Sequence, residues 1–168
     1  PLAAGGGRAG LPTIEVTEGA VMAYRDTAWG ILRKLRDMGV RLVVDDFGTG
    51  YSSLAYLKNL PVHELKIDRS FIKHLISDRD DAVIVRSAME LGHGLGLSVG
   101  AEGVEDEETM TALKSLGIDA AQGCHLGRPM PEEDLRRWIL ERAGSPDQAT
   151  GSDQVAQGAA ALRGKGML

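Results

Sequence analysis

Val40-Arg41-Leu42-Val43-Val44-Asp45-Asp46-Phe47-Gly48-Thr49-Gly50-Tyr51-Ser52-Ser53-Leu54 is the stretch that decides how the chain is read. Its apolar half, Val40, Leu42, Val43 and Val44, is short and β-branched, as expected of a strand buried on both faces of a parallel sheet. Asp45 and Asp46 then fall at the carboxyl end of that strand. Neighbouring strand side chains point to opposite faces, so two adjacent carboxylates can serve one ion only where the strand gives way to a loop. Gly48 and Gly50 supply the backbone freedom for such a loop, and Thr49, Ser52 and Ser53 make it rich in hydroxyls. The stretch reads as a cation site beside a lid; taken alone it also fits an Asx turn capping a strand.

Outward from this stretch, short apolar strands alternate with amphipathic helices from Thr13 to Arg142, which predicts βα units and a parallel sheet. Strands are expected at Thr13 to Val16, Arg41 to Asp45, Glu64 to Ile67, Leu97 to Ala101 and Asp119 to Gln122. A helix carrying Ala28, Ile31, Leu32, Leu35 and Met38 at spacings of three and four should lie on the sheet, with Gly39 as its C-cap. Further helices are expected over Asp80 to Leu95 (Val83, Ile84, Met89 and Leu91), over Asp106 to Leu116 before Gly117, and over Pro131 to Leu140, where three acids follow a first-turn proline. Residues 1–12 and 143–168, rich in Gly and Ala, read as non-native or disordered extensions.

Each strand delivers a polar group at its carboxyl end, the edge where parallel barrels and open α/β sheets carry their sites. Strand one brings Glu15 and Thr17 on one face, with Glu18 entering the loop; strand two brings Asp45 and Asp46; strand three, Lys66 and Asp68; strand four, Glu102; strand five, Gln122. Singly, Lys66 and Asp68 fit a structural ion pair, and Glu102 fits an acid preceding a helix. Together, so many carboxylates in one mouth would repel one another unless a cation compensates. Carboxylate oxygens without a thiol or histidine cluster suit Mg²⁺ or Mn²⁺ better than Zn²⁺. His63, His74, His93 and His125 occur singly and read as surface or structural residues.

Composition narrows the function classes. At 168 residues and 43% hydrophobic content the chain has room for a full core, and its net charge of -5 gives no basic footprint for duplex nucleic acid or an anionic membrane. No apolar run approaches the ~20 residues of a membrane span, and Pro1 to Gly10 lacks the apolar core of a signal peptide. The single cysteine, Cys124, excludes an intramolecular disulfide, suits a reducing compartment and reads as a small buried hydrophobe. A cytoplasmic location is the expectation.

Glu15-Val16-Thr17-Glu18, the Asp45 to Leu54 run, Leu60-Pro61-Val62 with Leu65-Lys66-Ile67-Asp68-Arg69-Ser70-Phe71, Ala101 to Glu105 and Gln122-Gly123 resemble, in order and spacing, the EAL-domain family of cyclic di-GMP phosphodiesterases. The resemblance covers about 130 residues, Thr13 to Arg142. It implies hydrolysis of cyclic di-GMP to linear pGpG by two Mg²⁺ or Mn²⁺ ions at the mouth of a (β/α)₈ barrel. By motif position it implies metal ligands at Glu15, Asp45 and Asp46, an acid at Glu102 that completes the metal site or assists as catalytic base, a lysine at Lys66 that holds the attacking water or the developing charge, and catalytic neighbours at Asp68 and Gln122. It also implies that Glu18 anchors a lid of Phe47, Gly48, Thr49, Gly50, Ser52 and Ser53, which contributes to dimerisation. Gly19, His63 and Cys124-His125 depart from the commoner family residues, and none of these removes an implied ligand. The Glu-Ala-Leu signature itself and an asparagine from the next strand are absent from the sequence.

Five βα units are an incomplete barrel, since eight typically occupy about 250 residues. The chain therefore reads as a C-terminal portion of the domain, inactive alone, with open sheet edges that favour aggregation unless covered. Two other readings compete: a non-catalytic cyclic di-GMP receptor or interaction module, and a barrel lyase using Lys66 as a Schiff base. The lyase has no need of the paired Asp45 and Asp46.

Overall fold

The fold is that of a computed structural model, which describes residues 12–23, 25–50 and 54–143. Five strands, β1 (Thr13–Thr17), β2 (Arg41–Phe47), β3 (Glu64–Ile67), β4 (Ser98–Glu102) and β5 (Ala120–Gln122), form one parallel sheet in sequential order. The helices are α1 (Glu18–Ala23), α2 (Arg25–Asp37), α3 (Leu54–Leu57), α4 (Arg69–Lys73), α5 (Arg79–Gly94), α6 (Glu107–Leu116) and α7 (Glu132–Ala143). The expected alternation is observed and each strand lies within two residues of its expected bounds, β2 running on to Phe47; the short helices α1, α3 and α4 were not foreseen. The outlying segments expected to be disordered fall almost entirely outside the described residues, as do Tyr51, Ser52 and Ser53 of the lid. Among the described residues, no helix is long and apolar enough to cross a membrane.

Period two divides the sheet. Leu42, Val44, Leu65, Ile67, Val99 and Ala101 are buried in one hydrophobic core with Leu32, Val85, Met89 and Leu113 of the helices. The opposite face carries Arg41, Val43 and Asp45, then Glu64 and Lys66, then Ser98, Gly100 and Glu102. Val43 is buried there too, so β2 is covered on both sides, as its sequence predicts.

Local chemistry sets the helix ends. Asp78 accepts from the N–H groups of Asp80 and Asp81 to start α5, and Asp106 accepts from Thr109 N–H at 2.7 Å to start α6. Gly117, at φ +88°, ends α6 in the left-handed region. The faces of α2 and α5 need correction. Ile31, Met38 and Val83 are more than half exposed and Ile84 is 38% exposed, although all four were read as sheet-facing. Met89 of α5 and Leu32 of α2 are buried as expected, but the stripe of α5 runs through Val85, Ala88, Met89 and Gly92 in place of Val83 and Ile84, and on α2 Leu32 is buried without its neighbour Ile31. A step of one residue turns a helix by about 100°, enough to exchange core for solvent. Cys124 is exposed, not buried, because it follows the short β5 into a surface loop.

Gly92 is where α5 meets the sheet: a Cβ there would lie 2.4 Å from Val99 Cγ2. Gly92→Ala is expected to lower stability by about 1–3 kcal/mol through overpacking. Gly30→Ala, in α2 with open space around it, should raise stability by about 0.5–1 kcal/mol through helix propensity. Urea unfolding of the two variants beside the parent checks both signs.

His63 ties β2 to the loop before β3, its Nδ1 accepting from Leu42 N–H at 3.0 Å. Burial, then the charges of Arg36 and Arg41, holds its pKa below the ordinary 6.5. The unfolded chain therefore takes up a proton at His63 more readily than the folded one. The stabilisation is complete above about pH 6.5 and declines as pH falls through the lower folded-state value. His63→Asn should flatten this decline between pH 7.5 and 5 in urea midpoints; an unchanged slope would place the titration elsewhere.

Candidate active site

The sheet face opposite the helical core ends in a lysine ringed by acids. Lys66, only 6% exposed, projects from β3, and its Nζ donates to Glu15 Oε1 of β1 at 3.0 Å and to Glu102 Oε1 of β4. Asp45 Oδ1 of β2 lies 3.7 Å from the same nitrogen. Thus four adjacent strands each contribute one group. Burial alone would favour the neutral amine, but Glu102, Glu15 and Asp45 outweigh it and hold the Lys66 pKa above its ordinary 10.5. A lysine so firmly protonated is an electrostatic donor rather than a carbonyl nucleophile, which counts against the Schiff-base reading.

Glu15, Asp45 and Glu102 each offer an oxygen within 4.8 Å of the others. Three carboxylates and one ammonium leave a surplus of two negative charges, the charge of one divalent ion. Asp45 Oδ1 is buried and accepts no hydrogen bond among the described residues, a lone pair that a cation would satisfy. The all-oxygen donor set suits a hard ion of the Mg²⁺ or Mn²⁺ kind, so the residues present fit a divalent metal.

Asp46 stands apart from this group. The strand does not end at Asp45; it continues to Phe47 with a register shift between Val44 and Phe47, and Asp46 takes a left-handed φ of +56°. That irregularity frees the second carboxylate from the alternation of the strand, as the expected loop would have done. Thr49 closes the turn, its N–H and hydroxyl both donating to Asp46 C=O. Burial, then the carboxylates of Asp45 and Asp68, raises the Asp46 pKa. Asp68 itself caps α4. Burial would raise its pKa, but the Ser70 hydroxyl and the N–H groups of Ser70 and Arg69 lower it. Gln122 ends β5 in register with Glu102 and is exposed.

Two expectations about the lid change. Phe47 is a core residue of β2, 8% exposed, and not part of a lid. Glu18 does not enter a loop but opens α1, 2% exposed, with Oε2 accepting from Gly48 N–H at 2.9 Å. A Cβ on Gly50 would lie 3.0 Å from Glu18 Oε1, so the carboxylate is covered by Gly48 and Gly50 together.

Sequence reasoning missed the support beneath Lys66. Glu64, 4% exposed, pairs with Arg41 Nη2 at 2.9 Å, and the same nitrogen donates to Ser98 Oγ at 3.2 Å. Period two was the available signal: Arg41, Glu64 and Ser98 share the strand face of Asp45, Lys66 and Glu102. A second support joins the strand ends, where Val104 N–H donates to Gln122 C=O and Val104 C=O accepts from His125 N–H, both at 3.1 Å.

A parallel βα sheet with charged groups gathered at its carboxyl edge is the arrangement on which βα barrels and open α/β sheets both build their sites. Residues 6–129 match the family model of the EAL domain, and the chain belongs to that family. It is 53% identical over 122 residues to the bifunctional diguanylate cyclase/cyclic di-GMP phosphodiesterase MucR of Pseudomonas aeruginosa, an alignment covering 73% of this chain and 18% of MucR. The solved structure of the MucR phosphodiesterase in complex with c-di-GMP matches with a TM-score of 0.70 at 54% identity, over 72% of this chain and 49% of that one. A manganese and cyclic di-GMP complex of BlrP1 from Klebsiella pneumoniae matches with a TM-score of 0.59 at 37% identity, over 63% of this chain and 27% of that one. The chain thus spans less than a fifth of the curated MucR and about half of its solved phosphodiesterase chain.

Proposed function

We propose that, within a complete EAL domain, this site hydrolyses one phosphodiester bond of cyclic di-GMP to give linear pGpG, using Mg²⁺ or Mn²⁺. The observation that carries the reading is the buried Lys66 ammonium shared by Glu15, Asp45 and Glu102, with Asp45 Oδ1 accepting no hydrogen bond among the described residues. Glu15, Asp45 and Glu102 would hold one ion, and Asp46, beside Asp45, would serve a second. When bound, such ions polarise phosphoryl oxygens and lower the pKa of water.

The remaining work falls to the chain's own groups. Lys66 keeps its proton and donates to negative charge developing at phosphorus. Glu102, paired with Lys66, is the carboxylate placed to hold a proton in transit. Asp68, fixed by Ser70, stays ionised beside Asp46 and limits how far that carboxylate can turn. Gln122 offers an amide beside Glu102 for water or substrate. Glu18 tethers the loop at Gly48, and dimerisation through that loop rests on the family resemblance.

Alone, the chain is proposed to turn over little, because the Glu-Ala-Leu glutamate and the asparagine assigned by resemblance are not in its sequence and ligands that act as a unit fail together. The test is product analysis with a complete domain in which residues 13–142 replace the matching part of MucR. Cleavage to pGpG in Mn²⁺, at least about 10²-fold slower in Glu102→Ala, supports the proposal. Binding without cleavage would instead favour a receptor.

A further inference from the structure

At the end of the sheet opposite the acidic mouth lies a cavity of about 440 Å³, where the last turn of α2, the loop into β3 and the loop into β4 meet the starts of β2 and β4. We propose that this cavity binds a small phosphorylated anion, at a site separate from the metal centre.

The charge pattern is the first argument. The chain carries a net charge of -5, yet every formally charged side chain lining the cavity is cationic: Arg36 from α2, Arg41 from β2 and Lys58 from the loop after α3. Glu64, the acid nearest to Arg41, is spent on Arg41 Nη2 and does not line the cavity. Cations converging from three elements on one concavity are the usual basis of phosphate recognition.

Hydrogen-bonding capacity is the second. Arg41 Nε is buried and without a partner among the described residues, although its Nη2 is matched to Glu64 and Ser98. Part of the donor capacity of Arg41 is therefore left unspent beside the cavity that this residue lines. His63 also lines the cavity. Its Nδ1 accepts from Leu42 N–H, so in the neutral ring the opposite nitrogen carries the proton and is a donor.

Helix ends offer a competing explanation, since α2, α3 and α5 all finish here and cations favour helix C-termini. That accounts for Arg36 and Lys58. It does not account for Arg41, which belongs to a strand. Apolar wall residues such as Leu57 and Leu97 further suit a phosphate that carries an organic body.

The experiment is a titration of the whole chain, without divalent metal and at low salt, with inorganic phosphate in one arm and adenosine monophosphate in the other, followed by amide NMR shifts. Saturable shifts at Gly96 and Ser98 in either arm are expected, with affinity about tenfold lower in the Arg36→Gln, Lys58→Gln double variant and unchanged in Arg86→Gln on exposed α5. Tighter binding of the nucleotide assigns the organic phosphate; equal binding assigns phosphate alone. Shifts that do not saturate, that gather at Glu102 and Gln122, or that persist undiminished in the double variant would overturn the proposal and leave Arg36 and Lys58 as helix-end charges and Arg41 as the partner of Glu64.

Discussion

Replacing Lys66 by methionine is expected to lower the turnover of a complete domain carrying this segment by about 10²–10³-fold and, without divalent metal, to destabilise this chain by about 1–3 kcal/mol, since the acids left behind are partly exposed. The side chain keeps its length and apolar stem, so the core around it is little disturbed. What disappears is the cation that contacts Glu15, Asp45 and Glu102 together. Those acids then face one another across the strand ends with nothing to offset their repulsion. Millimolar Mn²⁺ should recover part of the lost stability, because binding to the folded state alone stabilises it by mass action, but should not recover turnover. Stability unaltered by the substitution, with or without Mn²⁺, would mean that the acids are already neutral or too far apart to interact.

Gly123→Ala is expected to have a comparable effect on folding for a different reason. A Cβ at Gly123 would lie 2.0 Å from Val104 C=O and 2.4 Å from Val104 N. Both are backbone atoms that cannot rotate aside. Relief requires the β4 and β5 ends to separate, breaking the hydrogen bonds from Val104 N–H to Gln122 C=O and from His125 N–H to Val104 C=O. Overpacking and two lost hydrogen bonds together amount to about 3 kcal/mol, or a melting-point drop of about 6–12 °C at this chain length. The separation also moves Gln122 from Glu102, so turnover of a complete domain should fall with stability. Thermal unfolding of Gly123→Ala beside Gly30→Ala isolates the effect of position from that of adding a methyl group.

These expectations show what could be read from the chain and what could not. The strands were legible because β-branched runs such as Val40 to Val44 recur at βα spacing, and the acidic edge was legible because each strand ends in a polar group such as Glu15, Asp45, Lys66 or Glu102, whereas Arg41, Glu64 and Ser98, which share that face by period two, were missed. That four adjacent strands bring their groups to one nitrogen required the register, which no local pattern encodes. Asp46 shows the limit clearly: two adjacent carboxylates implied a break in the strand, but a left-handed aspartate inside a strand that continues to Phe47 has no sequence signal of the kind a glycine provides. Glu18 was recognised as an acid but not as the buried first residue of a helix, since six residues are too few to show helical periodicity. On α5, Val83 and Ile84 drew the apolar face one residue early, and Gly92, which has no side chain to count, marks the actual contact line.

Glu15, Asp45 and Glu102, arranged around Lys66, are proposed to form a divalent-cation centre that serves cleavage. Its most direct test is electron paramagnetic resonance of Mn²⁺ titrated into the complete domain, read beside pGpG formation in the same samples. Bound Mn²⁺ and cleavage are expected to rise together, and Asp45→Asn and Glu102→Gln to lose both. Cleavage that persists in a chelator, or Mn²⁺ binding unaffected by both substitutions, would contradict the proposal.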